Sequence, residues 1–151
     1  LIIDTILEIV QNHLDFDFIV LLQPTSPLRK GSNIDEALNI IYDNNKINSV
    51  VSVVETNDIH PARMYWIENE KNTLKSIMPE YQNSRRQDIP NAYYRNGSIY
   101  ITRIKKLVKC GEILINPIFG YKMNNSHYLN IDDKRDLLIS EVLIKSWKNE
   151  K

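Results

Sequence analysis

The chain has 151 residues, of which 42% are hydrophobic and 25% charged, and 19 basic residues balance 19 acidic ones to a formal net charge of +0. These values fit one globular domain with a core, and they exclude a basic surplus that would attract nucleic acid or anionic lipid non-specifically. The single cysteine, Cys110, excludes an intramolecular disulfide and favours a reducing compartment. The sequence contains no apolar run long enough to span a bilayer. We therefore predict a cytoplasmic protein with neither a nucleic-acid nor a membrane partner.

The first third of the chain alternates predicted helices with predicted buried strands. Apolar residues at helical spacing between Ile3 and Leu14 predict a helix. Residues 18–22 are apolar on both faces and predict a buried strand, and the β-branched run at 49–54 predicts another. Between them, Ser32 is the expected N-cap of a second helix. The predicted buried stripe of that helix is Ile34, Ala37, Leu38 and Ile41. This strand–helix–strand order predicts parallel pairing through a right-handed crossover.

The pattern changes after residue 55. Short strands are predicted at 64–67 and 74–77, around a turn at 68–73. Further strands are predicted at 98–102 and 117–123, with a short helix closed near Gly111 between them. An amphipathic helix is predicted at 133–148. Its expected inward face consists of Leu137, Leu138, Val142, Leu143 and Trp147.

A rigid polar loop follows the first predicted strand. Pro24 and Pro27 fix the backbone and remove two donors, so the polar residues between and beside them lie on a stiff turn. These polar residues are Gln23, Thr25, Ser26 and Arg29. Ligands of open parallel sheets bind beyond the carboxyl ends of strands, which makes this loop a candidate ligand edge. The alternative is ordinary turn chemistry with a solvated arginine.

Three segments, in order, resemble the acylneuraminate cytidylyltransferases, the CMP-sialic acid synthetases. They are LLQPTSPLR at 21–29, RRQDIP with YRNGSIYI between 85 and 101, and LNIDDKRDL at 129–137. The resemblance implies a three-layer α/β fold with a mostly parallel sheet, Rossmann-like and of the nucleotide-diphospho-sugar transferase type. It also implies transfer of CMP from CTP to the anomeric hydroxyl of a sialic-acid-like nonulosonate, with release of pyrophosphate. The implied cofactor is Mg²⁺, and the implied partners are CTP, the sugar and a second copy of the chain.

The resemblance does not extend to the beginning of the family pattern. Members begin with a strand and a basic glycine-rich loop that holds the triphosphate, and none of the four glycines in this sequence lies in such a loop. The sequence is thus expected to be the C-terminal two-thirds of a single cytidylyltransferase domain, 1–151, whose fold is incomplete. By itself it is expected to show no turnover. By resemblance, residues at about 60–87 form an arm that packs against the second subunit.

The resemblance assigns the metal to Asp132, with Asn130 as a second ligand, where the family pattern has two aspartates. An amide oxygen can ligate Mg²⁺ but brings no charge. Either Asp132 or Asp133 is also a good N-cap for the last helix, which is the alternative reading of the residue pattern.

Sugar recognition is assigned to a second set of residues. Arg86, which is also a candidate catalytic residue, and Gln87 offer a guanidinium fork and an amide suited to a sugar carboxylate or amide. In isolation, Arg86 would be a solvated basic residue. By resemblance, Asn96, Gly97 and Tyr100 face the sugar, and the even spacing of Asn96 and Tyr100 favours one shared face. Spacing alone predicts that Asn96 and Gly97 form a hairpin turn. Gln23, Thr25, Ser26 and Arg29 complete the predicted site, with Gln23 nearest the sugar.

Two other functions stay open at this stage. One is the related synthetase for 3-deoxy-manno-octulosonate, and the other is a non-catalytic remnant or dimerisation module. N-acetylneuraminate, legionaminate and pseudaminate are all compatible with the residues.

Overall fold

In the computed structural model, which describes residues 2–11, 15–56, 59–68, 72–125 and 128–149, the chain divides into two units. The larger unit comprises residues 1–54 and 95–151, and the smaller unit comprises residues 55–94. The helices and strands are, in chain order, α1 (Ile2–Gln11), β1 (Phe18–Leu21), α2 (Gly31–Asp43), β2 (Ser49–Glu55), β3 (Tyr65–Glu68), β4 (Thr73–Ser76), β5 (Tyr93–Arg103), α3 (Ile104–Cys110), β6 (Ile118–Lys122) and α4 (Lys134–Asn149). No helix in these described ranges combines the length and the hydropathy that crossing a membrane requires.

Within the described residues, four strands form a mixed sheet in the order β1-β5-β2-β6. β1 pairs antiparallel with β5, and β2 pairs parallel with β6. Between β2 and β5, Ser49 approaches Thr102 and Ser52 binds Ile99, so these two strands also run antiparallel. β1, β2 and β6 therefore point one way and β5 the other. The predicted α/β class is confirmed, and the three strands predicted at 18–22, 49–54 and 98–102 lie in one sheet.

The predicted pairing of the first two strands is wrong, because β5 lies between β1 and β2. β5 is eleven residues long and buried over most of its length, so it needs a partner on each side. β1 and β2 keep the parallel direction that the strand–helix–strand order predicts. Their backbone bonds go to the intervening strand.

The alternating side chains of β1 show that helices cover both faces of the sheet. Phe18, Val20 and Leu22 pack against one buried cluster, whereas Ile19 and Leu21 pack against another. The first cluster joins α2 to the sheet and consists of Ala37, Ile41, Ile47, Val50, Ile99, Ile101 and Tyr121. The second joins α1 to α3 and consists of Ile6, Val10, Ile104 and Leu107. The predicted three-layer arrangement is thus confirmed. Leu14, predicted to extend the first helix, lies outside the described residues.

The ends of two helices test the capping predictions. α2 begins at Gly31 after an extended Lys30, so the predicted cap at Ser32 is wrong. The side chain of Asn33 accepts a bond from the Lys30 N–H at 2.9 Å and stabilises this start instead. α3 ends as predicted, at Gly111, which adopts a left-handed conformation with φ of 69°.

The inward face of α4 differs from the prediction. Leu137, Leu138 and Val142 are exposed, at 52%, 67% and 69% of their surface, whereas Ser140 is 2% exposed. The other predicted inward residues, Leu143 and Trp147, are half-buried. Apolar residues lie on two sides of this helix, so periodicity alone could not select the buried side.

The smaller unit contains the β3–β4 hairpin, as predicted. The strands pair antiparallel from Tyr65↔Ser76 to Glu68↔Thr73. Lys75 and Glu68 form a surface ion pair at 2.9 Å. Residues 69–71 of the predicted turn lie outside the described part of the chain.

Candidate active site

The loop after β1 is held in shape by its own backbone and by Arg29. The Ser26 N–H donates to the Gln23 carbonyl at 3.2 Å, which closes a turn with Pro24 at its second position. Nη1 of Arg29 lies 2.9 Å from the Gln23 carbonyl, 2.7 Å from that of Ser26 and 3.3 Å from that of Ser98. Burial lowers the pKa of Arg29, although a guanidinium stays charged at neutral pH. Arg29 therefore ties the loop to β5, and its predicted contact with substrate stays a prediction.

Gly97 allows the loop to lie directly on β5. Its φ is 76°, a conformation that residues with a Cβ rarely adopt. A Cβ at this position would come within 3.0 Å of Gln23 Oε1 and would lie 3.1 Å from Ser26 Oγ. Asn96 and Gly97 both lie inside β5, so the hairpin-turn alternative is wrong.

Asn96 is 2% exposed and its amide is bonded within the protein. Its Oδ1 accepts from Ser52 Oγ at 2.5 Å and from the Ser98 N–H at 3.2 Å. Its Nδ2 lies 3.2 Å from Met123 Sδ. The amide thus holds β5 against β2 and the end of β6, and its predicted contact with a sugar stays a prediction.

Ser52 is a residue of this site that the sequence reasoning missed. Its hydroxyl binds Asn96, accepts from the Ile99 N–H at 2.8 Å and lies 3.2 Å from the Ile99 carbonyl. The available signal was a hydroxyl inside the otherwise apolar run VVSVV. A buried polar group needs a partner, so such a residue indicates a specific contact.

The even spacing of Asn96 and Tyr100 does not by itself put their side chains on one face of β5. The left-handed Gly97 lies between them and interrupts the regular alternation of a strand. Tyr100 is half-buried and pairs with Leu21 of β1. Whether both residues face one ligand therefore stays a prediction.

The third motif adjoins the loop after β1. The Ile131 N–H donates to the Thr25 carbonyl at 2.9 Å, and Ser26 Oγ donates to Asn130 Oδ1 at 3.2 Å. Asn130 Nδ2 in turn donates to Asp132 Oδ2 at 2.5 Å. The fold thus brings together the first motif, the Asn96–Gly97 part of the second, and the third.

The N-cap of α4 is Asp133. Its Oδ1 accepts from the Asp136 N–H at 2.9 Å, and Asp136 Oδ2 accepts from the Asp133 N–H at 3.2 Å. These reciprocal bonds form a capping box. The cap role predicted as an alternative for Asp132 is therefore wrong, and its carboxylate, bonded to Asn130, is exposed to solvent.

The donor set beside α4 fits a magnesium ion that arrives with a phosphate ligand. In the described ranges, no three or more His, Cys, Asp or Glu side chains converge as a metal cage. Asp132 supplies one exposed carboxylate, and the neighbouring Asn130 has an amide oxygen that accepts from Ser26 Oγ. Mg²⁺ is commonly held by one or two carboxylates together with water and substrate phosphates. These two residues are consequently the ones that would hold it.

Arg86 and Gln87 lie in the smaller unit, in a short 3₁₀ turn at Arg86–Asp88, and both are exposed. Arg86 lines a cavity of about 310 Å³ within that unit. The other lining residues are Glu55, Thr56, His60, Arg63, Ile89, Pro90 and Asn91. Thr56 Oγ1 is buried there and has no hydrogen-bond partner among the residues that the structure describes. The cavity wall thus combines the Arg86 guanidinium, the Glu55 carboxylate and this buried hydroxyl, a set of groups suited to a polar ligand.

Solved structures define the class of this fold. CMP:2-keto-3-deoxy-manno-octonic acid synthetase complexed with CTP matches 95% of this chain and 68% of its own chain, with a TM-score of 0.64 and 13% identity. The 4-diphosphocytidyl-2C-methyl-D-erythritol synthase of Anaerococcus prevotii matches 85% of this chain and 59% of its own, with a TM-score of 0.57 and 7% identity. The chain thus has the same α/β fold as these two synthetases.

No family model matches the chain. Curated relatives nevertheless show which enzymes its sequence is similar to. The N-acylneuraminate cytidylyltransferase of Streptococcus agalactiae is 28% identical over 135 residues, and that of Escherichia coli is 29% identical over the same length. These matches cover 89% of this chain and about a third of each relative, 32% and 31%. The CMP-N,N'-diacetyllegionaminic acid synthase of Legionella pneumophila is 32% identical over 95% of this chain and 61% of its own length. The resemblance to the acylneuraminate cytidylyltransferases is confirmed.

Proposed function

We propose that the protein transfers CMP from CTP to the anomeric hydroxyl of a sialic-acid-like nonulosonate, giving a CMP-sugar and pyrophosphate. The observation that carries this proposal is the meeting of Gln23–Arg29, Asn96–Gly97 and Asn130–Asp132 at one sheet edge. The curated relatives are named for this chemistry or for its legionaminic acid version. The chain spans about a third of the length of the first of them, so the activity is proposed for the whole protein.

Each part of the site has a proposed role. Asp132, with Asn130, would hold Mg²⁺, which when bound neutralises phosphate charge and acts as a Lewis acid. Gln23, whose side chain lies against Gly97, is proposed to contact the sugar, and so is Tyr100, which pairs with Leu21 just before the same loop. Nucleotidyl transfer depends mainly on positioning and charge neutralisation, and a rigid loop supplies the positioning.

Arg86 is proposed to bind the sugar carboxylate, with Gln87 beside it. Support comes from its position on the wall of the cavity described above, where a guanidinium can form charge-assisted bonds to a carboxylate.

The activity is tested with the natural polypeptide that contains residues 1–151, supplied with CTP and Mg²⁺. N-acetylneuraminate, legionaminate, pseudaminate and 3-deoxy-manno-octulosonate are offered separately, and the CMP-sugar is identified by mass. Formation of product from one of the first three is the expected result. Preference for the octulosonate would favour the related synthetase. Binding of CTP without any turnover would favour a non-catalytic module.

A second copy of the chain is the proposed partner of the smaller unit. The β3–β4 hairpin exposes Trp66 at 63%, Ile67 at 66% and Leu74 at 59% of their surface. A two-stranded hairpin is marginally stable alone, and clustered exposed apolar residues mark an interaction surface. A two-fold contact with the same hairpin of a second copy would bury them. The predicted dimerisation arm at about 60–87 lies within this unit.

The cytoplasm is the proposed location, supported by the single cysteine and by an activated-nucleotide substrate that is made inside cells.

A further inference from the structure

We propose that His60 and Arg63 are positioning residues, which hold the segment that carries Arg86 at the wall of the cavity described above. The segment comprises residues 82–90, and the two positioning residues are the N-cap and the last residue of the 3₁₀ turn at Pro61–Arg63. This inference rests on the proposed function, since Arg86 is the residue proposed to bind the sugar carboxylate.

The segment 82–90 has little burial of its own to fix its path. Ser84 and Ile89 are half-buried, and its other residues are exposed. A segment with few buried apolar contacts opens at a low free energy unless other interactions hold it. The placement of Arg86, in the middle of the segment, therefore depends on the hydrogen bonds that the rest of the smaller unit makes to this backbone.

Arg63 holds the start of the segment with both branches of its guanidinium. Its Nη1 donates to the Gln82 carbonyl at 2.6 Å, and its Nη2 donates to the Ser84 carbonyl at 2.5 Å. Hydrogen bonds from a charged donor are stronger than neutral ones, and the planar fork fixes the direction of both. Because both acceptors are backbone carbonyls, these bonds fix the path of the chain just before Arg86.

His60 holds the end of the segment through one defined tautomer. Its Nδ1 accepts from the Ala62 N–H at 3.1 Å, so this nitrogen bears no hydrogen. The hydrogen of the neutral ring is then on Nε2, which donates to the Pro90 carbonyl at 2.9 Å. Ala62 is 0% exposed, so the turn is packed into the unit and supplies a fixed base for this bond.

The bonds from the turn thus reach the backbone on both sides of Arg86. His60, Arg63 and Arg86 also line the same cavity, which places the turn beside the proposed position of the sugar carboxylate. Productive binding requires that a charged group be held in the correct geometry before the ligand arrives. Because the turn acts through Arg86, losing its bonds should cost at most what the removal of Arg86 costs.

His60→Asn separates the cap of the turn from the bond to Pro90. An asparagine amide can take the place of Nδ1 and accept from the Ala62 N–H, but it is too short to reach the Pro90 carbonyl. In the natural polypeptide, this variant should raise the KM for the sugar about tenfold, the value of one charge-assisted bond, and leave the KM for CTP unchanged. His60→Gln, whose amide reaches as far as Nε2, should restore part of the loss. A wild-type KM in His60→Asn would overturn the inference, because the histidine would then only cap the turn.

Arg63→Met tests the other end of the segment, because it keeps the length of the side chain and removes its donors. It should raise the KM for the sugar by about the same factor of ten. Arg85→Met is the matched control, since Arg85 belongs to the same segment, is exposed and lies outside the residues that line the cavity. Equal KM values in the two variants would contradict the inference.

A double-mutant cycle distinguishes positioning from direct contact with the sugar. If His60 and Arg63 act through Arg86, then adding His60→Asn or Arg63→Met to Arg86→Ala should change the KM further by less than about twofold. Additive effects would overturn the inference, because the turn would then bind the sugar independently of Arg86.

Nuclear magnetic resonance of the ¹⁵N-labelled natural polypeptide gives readouts that do not depend on turnover. The ring resonances of His60, assigned by their loss in His60→Asn, should show a hydrogen on Nε2 and none on Nδ1 at mildly alkaline pH. The ¹H–¹⁵N nuclear Overhauser effect of the Arg86 backbone amide should fall in His60→Asn, as the segment becomes more mobile. The other tautomer, or an unchanged effect at Arg86, would refute the inference whether or not the protein transfers CMP. Both expected results without CMP transfer would support the positioning role and count against the proposed function alone.

Discussion

At the scale of single residues, Asp132 and Asp133 divide two roles that the sequence could not separate. Both are acidic residues just before the last helix, and either could cap it. Bonds to Asp136 commit Asp133 to the cap, whereas the Asp132 carboxylate lies beside Asn130. One carboxylate beside the loop, that of Asp132, is therefore left outside the cap of α4.

Asp132→Ala should abolish CMP transfer at any practical Mg²⁺ concentration in the natural polypeptide. Its removal takes away the charged ligand that would neutralise the developing charge on pyrophosphate. Turnover is measured as pyrophosphate release from CTP in the presence of sugar. Wild-type turnover in this variant would refute the metal assignment.

Arg86→Ala should raise the KM for the sugar while changing kcat little. The lost charge-assisted bond is worth about 1.5–3 kcal/mol, or roughly tenfold to a hundredfold in affinity. The neighbouring Arg85→Ala is the control, since Arg85 is exposed and outside the residues that line the cavity. Equal effects of the two substitutions would mean that only general positive charge matters.

Gly97→Ala should destabilise the protein by about 1–3 kcal/mol. The new methyl group would collide with Gln23, and a residue with a Cβ is strained at φ of 76°. Gly31→Ala is the control, because nothing lies within 4 Å of a Cβ there, and it should be neutral or stabilising. Urea unfolding of the two variants measures the difference, and a stable Gly97→Ala protein would show that the loop moves easily.

At the scale of helices and strands, sequence patterns predicted the positions of these elements well. They predicted less well which strands pair and which side of a helix is buried. The strands were visible because runs of β-branched and apolar residues between polar loops are typical of buried strands. The strand that pairs with β1 could not be predicted, because β5, which is distant in sequence, lies between β1 and β2. The buried side of α4 was also hidden, because apolar residues occur on both sides of it and Ser140 occupies the buried one.

The start of α4 offers a prediction at this scale. Asp133→Ala removes the capping box and should lower the free energy of unfolding by about 1 kcal/mol. The same change at Asp132 should lower it much less, since the Asp132 carboxylate does not cap the helix. Urea unfolding monitored by circular dichroism compares the two, and the reverse order of stability would contradict the assignment of Asp133 as the cap.

At the scale of the whole molecule, the resemblance to a family could be predicted from the sequence, whereas the hydrogen bonds between the residues of the site could not. Gln23, Gly97 and Asp132 lie within motifs that the sequence displays in order. By contrast, the roles of Arg29 as a clamp and Ser52 as a partner of Asn96 depend on contacts between segments far apart in sequence. Such contacts follow from the fold and leave only weak local signals, such as a hydroxyl within an apolar run.

Self-association is the prediction at this scale. Ile67→Glu places a charge on the exposed hairpin and should convert a dimer into a monomer, because an unpaired charge cannot be buried without cost. Tyr42→Glu is the control, since Tyr42 is 72% exposed on α2 in the larger unit. Sedimentation of the natural polypeptide and both variants reads out the assembly state. A wild-type protein that sediments as a monomer at all concentrations would contradict the proposal.

The hydroxyl of Ser26 bonds to Asn96 and Asn130, which lie 70 and 104 residues further along the chain. Contacts between residues this far apart in sequence form slowly, so the site is expected to form late in folding. A ligand that binds there recognises only the completed larger unit, and it must stabilise that unit as a whole by mass action. Substrate would therefore protect the protein from proteolysis far from the place where it binds.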